Sequence, residues 1–340
     1  MQNKSVLIVG AGLSGAVIAR RLAEANCKVT VMDKRDHIGG NCFDFTNQYG
    51  IRVHKYGPHL FHTSNQEVVD FLSRFTEWVD YKHKVKAMLK DGSYVTLPVN
   101  RETKRIVGEE NIIDTFIRPY TLKMWGKTIE EIDPSILSRV PVRDDDNEFY
   151  FPNDTFQAMP KDGYTKMFER MLDHPNITTL VSATFSKRME PHFDFIFNSM
   201  PIDTYFDNCY GELPYRSIKF HTVDLPFPKV LPVATVNFTH DGAHTRVTEW
   251  KNIPVHGENG SMTTLTYEEP CDYRDNNFER YYPVKDADGK NRETYKKYES
   301  LVDASKMEFI GRCGQYAYLD MHQAASSALA ISKRYIESLS

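Results

Sequence analysis

Long hydrophobic runs are missing from this 340-residue chain. No apolar stretch approaches the roughly 20 residues that a membrane-spanning helix needs. The charged start MQNK, followed at once by SVLIVG, also lacks the pattern of a secretory signal. We therefore expect no membrane insertion and a cytoplasmic location. The content of 41% hydrophobic residues is ordinary for a globular protein with packed cores.

Cysteine is scarce as well. The five cysteines are odd in number and scattered, and no C-x-x-C pair occurs among Cys27, Cys42, Cys209, Cys271 and Cys313. This spacing supports neither a disulfide framework nor a cysteine-based zinc cluster.

Positive charge is not in excess, because 46 acidic residues face 42 basic ones and the formal net charge is −4. Broad affinity for nucleic acid needs a basic face. We therefore expect no nucleic-acid partner, and any anionic ligand must meet individually placed arginines.

The sequence does contain a glycine fingerprint. Gly10, Gly12 and Gly15 form G-x-G-x-x-G in SVLIVGAGLSGAVIARRLAE, between an apolar run and a helical pattern, and Asp33 lies 18 residues past Gly15. In dinucleotide-binding folds such glycines let the backbone approach the pyrophosphate, and such an acid accepts hydrogen bonds from the adenosine ribose. The motif predicts a dinucleotide site.

The other patterns predict an α/β protein with a helical insertion and an antiparallel sheet. The opening strand is followed by a helix over about 14–25 and a second strand that ends at Asp33. Further on, we expect a helix over NQEVVDFLSRFTEWV (65–79), a hairpin that turns at Asp91-Gly92, and mainly helix over 103–139. Residues 215–268 alternate like strands, and a helix ends the sequence.

A single fingerprint favours FAD over a nicotinamide cofactor. After Asp33 the segment KRDHIGGN supplies Gly39-Gly40, where the backbone can approach a diphosphate closely. An acid followed by this glycine pair is typical of FAD-binding flavoproteins, and no second fingerprint suggests a pyridine-nucleotide domain.

Longer segments follow one another along nearly the whole chain: GAGLSGAVIARRLAE, GGNCFD, YGPHLFHT, PYTLKMWGK, SRVPVR, FQAMPKDGYTKMFERML, PIDTYFD, LPYRSIKF, RYYPV and GRCGQYAYLDMHQ. In content and order they resemble the UDP-galactopyranose mutase family of prokaryotic type. The resemblance implies a Rossmann-like FAD-binding domain, a helical domain and an antiparallel β-sheet domain. The expected boundaries are 1–75, 160–205 and 305–340 for the discontinuous FAD domain, 100–145 for a shortened helical domain with a mobile substrate loop, and 76–99, 146–159 and 206–304 for the sheet domain.

The resemblance also implies a reaction: interconversion of UDP-galactopyranose and UDP-galactofuranose with no net redox change. In the family's mechanism, N5 of reduced FAD attacks the anomeric carbon, UDP leaves, and the sugar opens and recloses on the flavin before UDP returns. This requires an external reductant for the flavin. No side-chain general base is apparent in the sequence, as flavin-centred chemistry would allow.

Substrate residues are carried over motif by motif. Arg139 and Arg246 match the family's two diphosphate-binding arginines, a role that suits the guanidinium fork. Tyr120 matches the residue that stacks on uracil, and Trp125 one on a loop that closes over substrate. The other expected substrate contacts are Phe116, Thr121, Tyr150, Asn237, Tyr282 and Tyr318, with Tyr281 as a weaker alternative to Tyr282.

Cofactor contacts follow in the same way. The matched positions are Gly10, Gly12, Leu13, Ser14, Gly15, Asp33, Lys34, Gly40, Asn41, His59, Arg312, Tyr318, Asp320 and Met321. His59 is placed beside the isoalloxazine and, with the two arginines, is counted as catalytic. The terminal helix, which starts near 320, is expected to direct its N–H groups at the pyrimidine edge of the reduced flavin.

No metal site is expected. His59 and His62 have a spacing that a metal pair could use, but no third ligand is apparent. His240 and His244 also lack supporting ligands in the sequence and are interpreted as loop residues. Their segment, NFTHDGAHTR, alters the family's usual approach to Arg246.

Three other functions stay open at this stage. The same chemistry could act on another UDP-hexose such as UDP-N-acetylgalactosamine, the chain could be an FAD oxidoreductase, or it could be a non-catalytic nucleotide-binding relative. The helical domain that often supplies the family's dimer contact is shortened, so the oligomeric state is not carried over.

Overall fold

The computed structural model describes residues 4–134, 142–257 and 260–339. Its strands are β1 (Ser5–Val9), β2 (Lys28–Met32), β3 (Asp44–Thr46), β4 (Arg52–His54), β5 (Phe61–Thr63), β6 (Trp78–Asp80), β7 (Val85–Met88), β8 (Tyr94–Leu97), β9 (Phe156–Pro160), β10 (Ile177–Leu180), β11 (Phe195–Asn198), β12 (Tyr215–Leu225), β13 (Thr235–Phe238), β14 (Arg246–Glu249), β15 (Thr263–Asp272), β16 (Tyr282–Pro283) and β17 (Met307–Phe309). Its helices are α1 (Leu13–Glu24), α2 (Gln66–Leu72), α3 (Arg101–Val107), α4 (Arg118–Trp125), α5 (Tyr164–Leu172), α6 (Ile202–Tyr205), α7 (Lys290–Glu299), α8 (Gly311–Gly314) and α9 (Met321–Ser338).

A five-stranded parallel sheet, in the order β10-β2-β1-β11-β17, carries the glycine motif. Successive side chains of β1 enter two different cores: Val6 and Ile8 pack with residues of α1, α5 and α9, whereas Leu7 and Val9 pack on the other face. Burial on both faces explains why this strand is continuously apolar. The predicted strand, helix and strand opening is confirmed.

A second, seven-stranded sheet has the order β16-β12-β15-β14-β13-β7-β8. It is antiparallel except for the parallel pair of β7 and β13. The predicted hairpin at Asp91-Gly92 is confirmed as β7 and β8. β9, which begins in the segment 146–159 assigned to this sheet from sequence, pairs instead with β5 and β6 in a separate three-stranded sheet.

One helix prediction was wrong in extent. Helix α2 ends at Leu72, and Trp78 lies in β6, where it pairs with Pro160 of β9 and stacks on Phe61 at 5.0 Å. This tertiary pairing overrides the helical spacing of the segment. The prediction of mainly helix over 103–139 is confirmed as far as Trp125, with one interruption at Gly108, whose φ of +86° suits glycine. Residues 126–133 are not helical, and residues 135–139 lie outside the described residues. Among the described residues, no helix is both long and apolar enough to cross a membrane.

A chain of buried imidazoles joins β4 to the loop that follows β14. The backbone N–H of His59 donates to His54 Nδ1 at 3.0 Å, and the Nε2 atoms of His54 and His256 are 2.9 Å apart. His256 Nδ1 in turn lies 2.8 Å from the Pro254 carbonyl. These contacts assign one proton to each ring, so both rings are neutral. Burial lowers the pKa of His54 well below its usual value and that of His256 to about 4.

The free energy of unfolding should therefore fall as the pH drops from about 6.5 toward 4. In this range the histidines of the unfolded chain bind protons, whereas His54 and His256 stay neutral in the folded protein. Each histidine adds about 1.4 kcal/mol per pH unit to this slope. In urea unfolding at pH 7.5, 6 and 5, His256→Gln should reduce the slope by about one proton. An unchanged slope would show that His256 is not held neutral.

Candidate functional site

The glycine motif forms a tight turn between β1 and α1. A Cβ atom on Gly15 would lie 2.0 Å from the Gly10 carbonyl oxygen, so a side chain there is incompatible with the turn. Gly40, at φ +55°, approaches Gly12 so closely that its Cβ would lie 2.8 Å from the Gly12 Cα. Two backbone segments thus come together without side chains, as close approach to a pyrophosphate requires.

Asp33 organises this loop through both of its carboxylate oxygens. Oδ2 accepts the Ala11 N–H at 2.8 Å and Oδ1 accepts the Arg35 N–H at 2.9 Å. Lys34 lies 3.4 Å from Glu279, while Asn41 Oδ1 accepts a hydrogen bond from Arg35. Binding of ribose by Asp33 remains a prediction beside this structural role.

A cavity opens over the glycine loop. The predicted cofactor residues that line it are Gly12, Leu13, Ser14, Gly15, Asn41, His59, Arg312, Asp320 and Met321. Helix α9 begins here with a capping box in which Asp320 and Gln323 each bind the other's backbone N–H. Sequence reasoning missed Ser199 and Arg280, which also line the cavity.

A second cavity lies between α4 and the seven-stranded sheet. Many of the predicted substrate residues share its wall: Phe116, Tyr120, Thr121, Trp125, Tyr150, Asn237 and Arg246. Asn237 Oδ1 is buried there and accepts no hydrogen bond from the described residues. A buried acceptor without a partner is costly, and it marks a position where a ligand N–H or O–H would be bound.

The helical wall of this cavity begins with a π-helical turn over residues 113–117. Pro119 lacks the N–H that a regular α-helix would donate to Thr115, so the turn can widen without losing that bond. The expectation that Trp125 lies on a closing loop was wrong for this structure: Trp125 is the buried last residue of α4. The terminating residue Gly126 adopts a left-handed conformation, φ +63°.

An aromatic group connects residues of the two cavities. The Arg312 guanidinium lies 4.9 Å from the ring centroid of Tyr282 and 5.2 Å from that of Tyr318. These two rings stack at 5.3 Å, and the Trp125 ring lies 6.4 Å and 6.3 Å from them. Tyr281, the alternative to Tyr282, lines the cofactor cavity instead.

Arg246 is held by a buried carboxylate that sequence reasoning missed. Its Nε donates to Glu268 Oε2 at 2.8 Å, and the Glu268 side chain is only 3% exposed. Burial alone would lower the pKa of Arg246, but Glu268 and the nearby tyrosines raise it overall. The guanidinium therefore stays charged and still offers its Nη groups. Only a strand pattern with Glu268 facing inward could have signalled this contact.

The loop that carries His59 packs near the pair of Arg246 and Glu268. Its Nδ1 lies 2.9 Å from the Gly57 carbonyl, which makes Nε2 the acceptor of a neutral ring. Burial lowers the pKa of His59 to about 4, and Arg312 and Arg246 contribute. A Cβ on Gly57 would lie 3.2 Å from Glu268 Oε1, so this loop packs directly against the partner of Arg246. Arg139, the other predicted diphosphate ligand, lies outside the described residues.

Comparison with known proteins places this arrangement in a family. Residues 115–318 match the model of the UDP-galactopyranose mutase family, and residues 8–75 match an NAD(P)-binding Rossmann-like domain. A probable UDP-galactopyranose mutase of Klebsiella pneumoniae is 34% identical, with 100% of this chain and 96% of the relative covered. A dTDP-fucopyranose mutase of Escherichia coli is also 34% identical, with 98% of each chain covered.

Solved structures share the fold. A reduced UDP-galactopyranose mutase aligns with a TM-score of 0.79 at 15% identity, over 100% of this chain and 95% of that one. A putrescine oxidase redesigned in its cofactor binding aligns with a TM-score of 0.60 at 14% identity, over 98% and 99%. The identities and the extent of the sequence matches show that the chain belongs to the UDP-galactopyranose mutase family.

Proposed function

We propose that this protein is a flavin-dependent mutase that interconverts UDP-galactopyranose and UDP-galactofuranose without net redox change. The observation that carries the proposal is the pair of cavities. One is bordered by glycine backbone suited to a dinucleotide, and the other by a half-buried arginine and aromatic rings suited to a nucleoside diphosphate. The membership of the chain in the mutase family supports the same reaction.

The glycine-lined cavity fits FAD. The approach of Gly12 and Gly40 leaves space for a pyrophosphate, while Arg312 and the N-terminus of α9 supply positive charge for the flavin end. Bound there in reduced form, FAD would supply N5 as the nucleophile for the anomeric carbon of the sugar. His59 would lie beside the ring system as a neutral imidazole.

The second cavity would hold the UDP portion before and after the sugar detaches. Tyr120 and Phe116 offer a stacking surface for uracil, and Arg246, together with Arg139, would bind the diphosphate. Burial raises the pKa of both Tyr120 and Tyr282. These two hydroxyls remain protonated at neutral pH and can donate hydrogen bonds to the diphosphate. Tyr150 and Tyr318 are further candidates for contacts with the diphosphate.

A dTDP-sugar is the second candidate substrate. The relative named dTDP-fucopyranose mutase is as similar to this chain as the Klebsiella relative is, so family membership alone does not select the nucleotide or the sugar. Selection would depend on the cavity wall around Asn237 and Phe238.

Product analysis tests the function directly. We expect the purified yellow protein, reduced anaerobically with dithionite, to convert UDP-galactofuranose to UDP-galactopyranose, with dTDP-fucopyranose and UDP-N-acetylgalactosamine assayed in parallel by chromatography. Activity should need only catalytic reduction of the flavin. Stoichiometric consumption of oxygen or reductant, or equal turnover with oxidised FAD, would contradict a mutase.

Gly12→Val should abolish FAD retention while preserving the fold. A Cβ on Gly12 would meet only the Gly40 Cα at an ordinary 3.7 Å, so the added methyl groups would occupy the approach of the pyrophosphate rather than clash with the protein. The ratio of flavin to protein absorbance should fall at least about tenfold while the circular dichroism of the apoprotein is unchanged.

Gly15→Ala is the matched control, because its Cβ would lie 2.0 Å from the Gly10 carbonyl oxygen and should destabilise the fold itself. Stoichiometric FAD in the Gly12→Val protein would overturn the assignment of this cavity.

Arg246→Ala should lower kcat/KM roughly tenfold to over a thousandfold, because it removes one or two charge-assisted hydrogen bonds worth about 1.5–3 kcal/mol each. Arg246→Lys should recover only part of the loss, since an ammonium lacks the paired geometry.

The single variant also leaves Glu268 buried without its partner. The double variant Arg246→Ala/Glu268→Gln removes that charge, and it should regain stability but not activity. Wild-type kcat/KM in either alanine variant would show that Arg246 does not bind the diphosphate.

A further inference from the structure

Three side chains with metal-binding atoms converge on the seven-stranded sheet, away from both cavities. His221 lies on β12, Glu269 on β15, and His244 in the loop between β13 and β14. One ligand atom from each lies within 4.8 Å of the others. His221 Nε2 and Glu269 Oε2 are 2.7 Å apart, and the two imidazole rings are centred 5.5 Å from each other.

The strand register explains why these residues meet. In the antiparallel pair of β12 and β15, His221 is opposite Tyr267 and Lys219 is opposite Glu269, so His221 and Glu269 are diagonal neighbours on one face. Because side chains alternate between faces, Glu268 points to the other face, where it binds Arg246. The three residues are thus separated from the candidate site by the thickness of the sheet.

The donor set is chemically specific. Two imidazoles and one carboxylate are a common protein ligand set for Zn²⁺, with water as the fourth ligand. With metal–ligand distances of about 2.0–2.1 Å, tetrahedral ligands lie roughly 3.3 Å apart, a value between the 2.7 Å separation of His221 and Glu269 and the 4.8 Å limit on the group. The His221 and Glu269 side chains are 48% and 33% exposed, which lets an ion enter from solvent.

We propose that His221, His244 and Glu269 bind a divalent transition-metal ion, preferentially Zn²⁺. The ion would cross-link two strands to the loop over residues 239–245. That loop is the segment that leads directly into Arg246.

The loop is also tied to the substrate cavity. The Lys123 ammonium, on α4, donates to the carbonyl oxygens of Phe238, His240 and His244 at 3.0, 2.9 and 3.0 Å. All three ammonium protons are thereby used on this loop and on the last residue of β13. An ion on the His244 imidazole would restrict the same residue whose carbonyl holds the helix that carries Tyr120 and Trp125.

Metal content measures the proposal without reference to activity. Chelator-treated holoprotein should be dialysed against about 10 μM free Zn²⁺ and the bound ion counted by mass spectrometry. We expect about one equivalent in the wild type, lost in His221→Ala, His244→Ala and Glu269→Gln, each with at least about tenfold weaker binding. Replacing the exposed His192 by Ala is the matched control and should not change the count.

Hydrogen exchange provides a second test of the metal site. Zn²⁺ should slow exchange of the amides of residues 239–245 in the wild type and leave it unchanged in His244→Ala, whereas Mg²⁺ should have no effect on either protein. No bound Zn²⁺ in the wild type would overturn the proposal. So would a full equivalent retained in the three variants, because the ion would then lie elsewhere, for example on the phosphates of bound FAD.

Discussion

The ion pair of Arg246 and Glu268 is the constraint on which the candidate site depends. The two residues are directly opposite each other on β14 and β15, so the strand register sets their 2.8 Å contact. Removing a carboxylate such as that of Glu268 from water costs several kcal/mol, and a close, fixed contact with a cation offsets this cost. Glu268 also packs against Gly57, so the loop that carries His59 shares the same support. One buried carboxylate therefore lies between Arg246 of one cavity and the loop that carries His59 of the other.

The two sheets present different groups at the candidate site because their secondary structure differs. The parallel sheet ends in glycine backbone, which suits a dinucleotide, whereas the second sheet presents single charged side chains from a rigid surface. Helix α4 adds an aromatic face between them. In a protein with a net charge of −4, the half-buried Arg246 and Arg312 concentrate positive charge among tyrosines. The local field, and not the overall charge, is what a diphosphate would meet.

The sequence predicted those features of the fold that are determined by residues close together in the chain. The glycine turn, the hairpin at Asp91-Gly92 and the alternating strands follow from backbone geometry and period, and the cavity residues were found by motif resemblance. Contacts between residues that are far apart in the sequence could not be predicted from it. His54 and His256 are 202 positions apart, Glu268 differs from Glu269 only in the face that it occupies, and His244 has no ligand near it in sequence. Trp78 followed a helical period, yet strand pairing with Pro160 decided its conformation.

The central claim is that the bond between the sugar and UDP breaks while the diphosphate stays bound. It is tested most directly with UDP-galactopyranose that carries ¹⁸O in the oxygen bridging the anomeric carbon and the β-phosphate. If the bond breaks and UDP remains held, rotation of the phosphate moves the label into its non-bridging oxygens before the bond reforms. Phosphorus NMR of recovered substrate should show this exchange with reduced protein and none with oxidised protein. Label that stays in the bridge while furanose accumulates would contradict the account.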